Sequence, residues 1–209
     1  MPDKAAIDVA SVAELDEHRV IKPVLHHVNL KTRRLQEMID WYSLVLGGDV
    51  HFQTDTIAFL SNDDANHRIA LVAMAGLVDD EDKITRTGMH HSAFEYETLD
   101  DLLASFLRLK AVGVVPGASL DHGLTMSFYY VDPDGNSVEM QADNHGDWTE
   151  STSFMRSDPR FLANPIGEFV EPDALVEARR AGVSAREVHE RAYTGEYPAQ
   201  GPVDLRLPS

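Results

Sequence analysis

Two pairs of adjacent histidines are the residues in this sequence best suited to metal chemistry. His26-His27 and His90-His91 each open an apolar run that is typical of a β-strand. The chain contains no cysteine, so a transition metal would have to be bound through His, Asp, Glu or Tyr. Such donors suit iron, manganese or zinc and exclude an iron–sulfur cluster.

A third ligand is needed to complete a metal site, and Glu139 is the best candidate. Neighbouring side chains of a strand point to opposite faces, so one histidine of each pair faces a shared cavity, either His26 with His90 or His27 with His91. Glu139 lies in an apolar segment, where a buried carboxylate is costly unless it is paired or bound to a metal. Two histidines and one carboxylate are typical of non-haem Fe(II) oxygenases. The alternatives are histidines with ordinary structural hydrogen bonds and a glutamate that points to solvent.

The remaining histidines are weaker candidates. Four of the ten in the chain lie in polar or terminal contexts and are expected at the surface: His18, His51, His145 and His189. His67 directly precedes a predicted strand. It could lie beside the metal or have a purely structural role, and the sequence favours neither alternative.

The predicted elements that carry these residues occur twice, in the order strand, helix, three strands. The first copy is predicted as a strand at 24–30, a helix at 35–46 and strands at 49–53, 56–60 and 68–74. The second is predicted as a strand at 89–96, a helix at 99–110 and strands at 113–115, 125–131 and 137–141. The openings of the copies, LHHVNL and MHHSAF, also match. We therefore expect an α+β fold of two tandem βαβββ modules around an open, barrel-like cavity for the metal.

The chain divides into four segments on this basis. We expect an N-terminal arm at 1–22 with a short helix near 9–18, a first module at 23–86, a second module at 87–144 and a C-terminal extension at 145–209. The extension is predicted to pack on the modules and to contain helices at 173–181 and 184–193, with loops before them.

Charge and hydropathy exclude several classes of protein. The formal net charge is −17, and no basic patch offsets it, which argues against a nucleic-acid partner. No apolar run is long enough to span a membrane, and the first twenty residues are too polar for a secretory leader. Cytoplasmic residence is therefore expected.

Three stretches resemble a known family. LHHVNL, GMHHSAFEY and DHGLTMSFYYVDPDGNSVEMQ are similar to the vicinal oxygen chelate (glyoxalase/bleomycin resistance/dioxygenase) superfamily, and within it to the type I extradiol ring-cleavage dioxygenases with a single pair of modules. The resemblance covers about 23–143, and NPIGEFVEPDAL at 164–175 resembles tails of small catechol-cleaving members.

The resemblance implies a ligand set and an activity. It places the metal on the second histidine of each pair and on the glutamate of the final strand, which are His27, His91 and Glu139 in this sequence. It implies an enzyme of aromatic hydrocarbon catabolism that cleaves a catechol-type diol with O₂ at Fe(II); Mn(II) shares this donor set. Self-association into a homo-oligomer is expected as well.

Two further residues are assigned catalytic roles through the resemblance. His122 would move protons beside the metal, and a loop histidine that contacts backbone is the alternative. Tyr129 and Tyr130 must point to opposite faces, and the family spacing to the glutamate selects Tyr129.

Other functions within this fold remain open from the sequence. A metal-dependent, glyoxalase- or epimerase-like isomerase would use zinc, nickel or cobalt, with His67 or water completing the site. A non-enzymatic protein that sequesters a small aromatic compound or an antibiotic in the same cleft is the third hypothesis.

Overall fold

A computed structural model describes residues 22–208, so the predicted N-terminal helix near 9–18 lies outside the described part of the chain. Residues 22–74 form one strand, one helix and three more strands: β1 (Val28–Thr32), α1 (Leu35–Leu46), β2 (Asp49–Gln53), β3 (Ile57–Ser61) and β4 (Ile69–Ala73). Helix α1 ends where Gly47 adopts a left-handed conformation, with φ of 67°.

The second copy repeats this order after a short 3-10 turn at Lys83–Thr85. Its elements are β5 (His91–Tyr96), α2 (Leu99–Lys110), β6 (Ala118–Asp121), β7 (Thr125–Val131) and β8 (Ser137–Asp143). The Thr98 side chain caps the N-terminus of α2 by accepting a hydrogen bond from the Asp101 amide. Both predicted central helices are thus confirmed.

The predicted strand at 113–115 is wrong. These residues form a turn and irregular backbone, and β6 starts at Ala118. The reason is Pro116, which has no amide hydrogen and so cannot join the ladder. The first contact with β7 is the Gly117 amide, which donates to the Tyr129 carbonyl at 2.8 Å.

The C-terminal extension is more structured than the sequence indicated. The predicted loops before residue 172 contain two helices, α3 (Trp148–Ser157) and α4 (Pro159–Ala163), and the short strand β9 (Glu168–Phe169). The two predicted helices follow as α5 (Pro172–Arg180) and α6 (Ala185–Ala192).

The strands form two sheets. Their orders are β1-β4-β3-β2 and β5-β8-β7-β6-β9, so the first strand of each copy pairs in parallel with the last strand of the same copy. Strand β9 of the extension pairs with β6 and completes the second sheet. The predicted α+β fold class is confirmed, whereas the division at 22, 86 and 144 stays a prediction.

One apolar core joins the two copies and the extension. It includes Met38 of α1, Phe106 of α2, Leu175 of α5 and Val188 of α6, all nearly inaccessible to solvent. Burial of these side chains supplies the main driving force that holds the elements together. Among the described residues, no helix is long and apolar enough to cross a membrane.

Candidate functional site

His91 and Glu139 meet on one face of the second sheet. Glu139 of β8 pairs with Ala93 of β5, and His91 lies two residues before Ala93 on the same face. The His91 Nε2 atom is 3.0 Å from Glu139 Oε2. Burial alone would raise the pKa of Glu139, but hydrogen bonds from His91 and Ser127 together with the nearby histidine charges lower it below its usual value. The structure therefore offers an ionised, buried carboxylate beside an imidazole nitrogen.

Strand β7 brings Tyr129 to the same face. Tyr129 pairs directly with Glu139 across the ladder, and its ring centroid is 5.5 Å from that of His91. Tyr130 pairs with Val138, points to the opposite face and is buried in the core. Burial and the Glu139 carboxylate raise the pKa of Tyr129, so its hydroxyl remains protonated and can act as a hydrogen-bond donor.

His122 lies in the turn after β6 and contacts Tyr129. Its Nδ1 is 2.5 Å from the Ile166 carbonyl oxygen, and its Nε2 is 2.9 Å from the Tyr129 hydroxyl. A carbonyl oxygen can only accept, so Nδ1 carries the proton and donates it. In the neutral ring, Nε2 is then an acceptor, and Tyr129 donates to it. His122 therefore presents a basic nitrogen toward the Tyr129 hydroxyl.

A buried hydrogen bond between Asp121 and His189 anchors the turn that carries His122. Asp121 accepts hydrogen bonds from the Gly123 amide at 2.8 Å and from the Asn144 side chain at 3.0 Å, and its second oxygen is 2.8 Å from His189 Nδ1. The side chains of Asp121 and His189 are 0% and 10% exposed. The prediction of His189 as a surface residue is therefore wrong, because α6 packs it against Asp121.

His27 stands in a different group of imidazoles. It precedes β1, and its Nδ1 is 3.0 Å from Nδ1 of His26. One ring nitrogen each of His26, His27 and His67 lies within 4.8 Å of the others, a spacing at which they could hold a metal ion. The His67 ring stacks on Phe59 at 4.7 Å between centroids, and burial together with the charges of His27 and His26 lowers the pKa of His67.

His26 and His27 of one group and His91 of the other line a common cavity. Residues from the starts of β1 and β5 line a space of about 540 Å³, and His27 and His91 are among them. Of the five predicted residues, His91, Glu139, Tyr129 and His122 form one contiguous group. His27 shares the cavity with His91, while its ring nitrogens cluster with those of His26 and His67.

The sequence prediction missed the residues that hold this group in place. His189 and the Ile166 carbonyl come from the extension, which has no counterpart in the repeat. The advance signal for Ile166 was the resemblance of NPIGEFVEPDAL, which contains it, to tails of catechol-cleaving proteins, whereas His189 was predicted as a surface residue.

Comparison with known proteins identifies the family of this chain. Residues 24–140 match the family model described as Glyoxalase/Bleomycin resistance protein/Dioxygenase superfamily. Biphenyl-2,3-diol 1,2-dioxygenase 3 of Rhodococcus globerulus is 39% identical over 173 residues, which cover 83% of this chain and 90% of the relative. Biphenyl-2,3-diol 1,2-dioxygenase 2 of the same organism is 36% identical over 174 residues, with the same coverage.

A solved structure supports the fold assignment. The glyoxylase/bleomycin resistance protein/dioxygenase domain from Frankia sp. EAN1pec superposes with a TM-score of 0.50 at 24% identity. The match covers 61% of this chain and 96% of that domain.

Proposed function

Because this chain belongs to the Glyoxalase/Bleomycin resistance protein/Dioxygenase superfamily, we propose that it is an extradiol dioxygenase that opens a catechol-type aromatic ring with O₂ at a mononuclear non-haem Fe(II) centre. The observation that carries the proposal is the contiguous group of His91, Glu139, Tyr129 and His122, which combines metal donors with a proton acceptor. The two relatives named as biphenyl-2,3-diol dioxygenases support an aromatic diol as substrate.

The residues present fit such a metal. Glu139 is a carboxylate with only 5% of its surface exposed, and His91 and His27 line one cavity. His27, His91 and Glu139 would therefore hold Fe(II), and Mn(II) shares this set of donors. At these residues, Fe(II) would supply Lewis-acid and redox chemistry for the reaction of a catechol with O₂.

The protein's own side chains would manage the protons. A catechol hydroxyl beside Tyr129 would lose its proton to Nε2 of His122, because the opposite nitrogen is already committed to the Ile166 carbonyl. The same carbonyl would stabilise the resulting imidazolium by accepting from Nδ1. Once Nε2 of His122 is protonated, it can no longer accept from Tyr129, so the Tyr129 hydroxyl, which keeps its own proton, would donate to a substrate oxygen instead. Each residue of the group then has a distinct role.

Oxygen uptake tests this proposal directly. Protein loaded anaerobically with Fe(II) is mixed with a panel of catechols that includes biphenyl-2,3-diol, and O₂ consumption and the absorbance of the ring-opened product are recorded. We expect uptake in the wild type, and loss of both uptake and retained iron in Glu139→Gln. Glu97→Gln, an exposed carboxylate one residue beyond β5, serves as the matched control and should behave like the wild type. Full uptake in Glu139→Gln would refute the assignment of the ligand.

A second candidate function is a metal-dependent, glyoxalase- or epimerase-like isomerase. The observation in its favour is His67, which adds a further nitrogen beside His27. Such an enzyme would consume no oxygen, so conversion of substrate without O₂ uptake would favour it. The homo-oligomer and the cytoplasmic location stay predictions.

A further inference from the structure

The C-terminal tail reaches the pair of histidines that opens β5. The Leu205 carbonyl oxygen is 2.8 Å from Nε2 of His90, and Nδ1 of His90 is 2.7 Å from Nδ1 of His91. The tail is held there because the Asp204 amide donates to the Gly117 carbonyl at 2.8 Å. The Leu205 side chain also packs against the small cluster that contains Tyr129. The backbone at residue 205 is therefore fixed against the second sheet.

The direction of each hydrogen bond in this chain follows from chemistry. The Leu205 carbonyl can only accept, so Nε2 of His90 carries a proton and donates it. In the neutral ring, Nδ1 of His90 is then an acceptor, and it must receive its hydrogen bond from Nδ1 of His91. The remaining nitrogen of His91, Nε2, is the atom through which this ring would bind a metal. That atom is the one 3.0 Å from Glu139.

We propose that His90 is a positioning residue that, together with the Leu205 carbonyl, fixes the tautomer and orientation of His91 for metal binding. The inference rests on the proposed function, since it takes His91 and Glu139 as metal ligands. A hydrogen bond to the far nitrogen of a ligating imidazole selects its tautomer and increases its basicity. A free imidazole prefers its proton on Nε2, so the contact with His90 opposes that preference.

The first copy contains the same contact. His26 and His27 also approach through their Nδ1 atoms, at 3.0 Å. The recurrence explains why each strand opening carries two histidines: the second residue of a pair can bind the metal, and the first orients it. In the second copy, the tail adds a fixed acceptor that determines the tautomer of the first residue as well.

The size of the effect follows from the exposure of His90. Removing such a hydrogen-bond partner lowers metal affinity about 10- to 100-fold. His90 is exposed, so water can partly replace it. We therefore expect a loss near the lower end, about tenfold.

Two substitutions separate hydrogen bonding from the other effects of the ring. His90→Leu removes both hydrogen bonds, whereas His90→Gln retains both, because its Oε1 can accept from His91 and its Nε2 can donate to Leu205. A chain ending at Asp204 removes the Leu205 carbonyl, and a chain ending at Arg206 is its matched control. The measurements are the Zn²⁺ dissociation constant, by competition with a chelator, and long-range ¹H–¹⁵N histidine spectra of the metal-free protein.

The expected results are specific. Zn²⁺ affinity should fall about tenfold in His90→Leu and in the chain ending at Asp204, with no further loss when the two are combined. His90→Gln and the chain ending at Arg206 should bind like the wild type. The wild-type spectrum should show His90 protonated on Nε2 and His91 protonated on Nδ1.

Other outcomes overturn the inference or its premise separately. A wild-type His91 that carries its only proton on Nε2 overturns the positioning role, and this result requires neither metal nor activity. Unchanged Zn²⁺ affinity in His90→Leu does the same if Glu139→Gln loses affinity. If Glu139→Gln itself binds Zn²⁺ like the wild type, the proposed metal site is wrong.

Discussion

Replacing Tyr129 by phenylalanine tests whether the hydroxyl between His122 and Glu139 contributes to the chemical step. The substitution removes one oxygen atom and leaves the ring, which is 6% exposed and packed among Ala118 and Leu120. The fold should therefore be retained. What is lost is the hydrogen bond to Nε2 of His122, at 2.9 Å.

The magnitude follows from the kind of hydrogen bond. A hydrogen bond to a group that becomes charged contributes about 1.5–3 kcal/mol. At about 1.4 kcal/mol per factor of ten, kcat should fall roughly 10- to 150-fold. His122→Phe removes the proposed base and should lower kcat about 10²- to 10⁴-fold. Because Tyr129 and His122 are joined by a hydrogen bond, removing His122 also removes the contact through which Tyr129 acts, and Tyr129→Phe should add little in the His122→Phe background.

Tyr130→Phe is the matched control. It removes the same atom from the same strand on the opposite face, inside the core. Steady-state ring cleavage at saturating O₂, followed by product absorbance, gives kcat and KM for each variant. A kcat for Tyr129→Phe equal to that of Tyr130→Phe, or fully additive losses in the double variant, would refute the reasoning.

Two further predictions concern the parts that hold the site together. Tyr42→Phe removes a buried hydrogen bond of 3.0 Å from the Tyr42 hydroxyl to Asp132, which joins the two copies. Asp132 keeps other hydrogen-bond donors, so the free energy of unfolding, measured in urea, should fall by about 1.5 kcal/mol. Burial and the Asp132 charge raise the pKa of Tyr42 in the folded protein. The stabilisation by the Tyr42 hydroxyl is therefore complete below about pH 10 and is lost as the pH rises further. Above that pH, the difference in stability between the wild type and Tyr42→Phe should become smaller. Gly167→Ala should lower both stability and kcat. Stability should fall because φ at Gly167 is +86° and a Cβ would lie 2.0 Å from the Asp121 carbonyl oxygen. The kcat should fall because this clash lies directly beside the contact between Ile166 and His122.

The expected losses of stability can be compared with those of a substitution that should cost less. Gly146 also has a positive φ, of 70°, but open space around it, so Gly146→Ala carries only the backbone cost of about 1–2 kcal/mol. Equal stability of the two alanine variants would contradict the predicted clash. A gap between Tyr42→Phe and the wild type that widens above about pH 10 would contradict the sign of the pKa shift.

Local sequence patterns predicted the helices of both copies. The bounds predicted for helices α1 and α2 are those that the structure shows, because each helix has apolar residues at helical spacing, and Gly47 ends α1. The common face of Tyr129 and Glu139 was also accessible from sequence. The tight turn at 132–136 joins β7 to β8 and fixes which residues pair across it.

The starts of the strands could not be predicted from local pattern. Both histidine pairs were assigned to strand interiors, yet β1 starts at Val28 and β5 at His91. A strand extends only as far as its partner, and the partner strands β4 and β8 begin opposite these two residues. His27 therefore precedes the ladder, and the rule of alternating faces does not fix its direction.

The helices α3 and α4 were missed for a different reason. They bury little: Ser151 is the one buried residue among those of α3 and α4. The recurrence of apolar residues at helical spacing was therefore too weak to predict these two helices. Their starts are defined instead by Asp147 and Asp158, whose side chains accept hydrogen bonds from backbone amides of the first turn. Capping signals alone would have indicated both helices.

The extension explains why two similar copies make unequal contributions to the candidate site. Among its contacts with the second sheet, β9 pairs with β6, His189 holds Asp121, and the Leu205 carbonyl holds His90. Each of these contacts lies within a few residues of a group that the proposal uses. A duplicated module begins with equivalent faces, so an added segment that packs on only one copy can restrict the side chains of that copy. The proposed chemistry accordingly concentrates on the second copy, to which the first adds the single ligand His27.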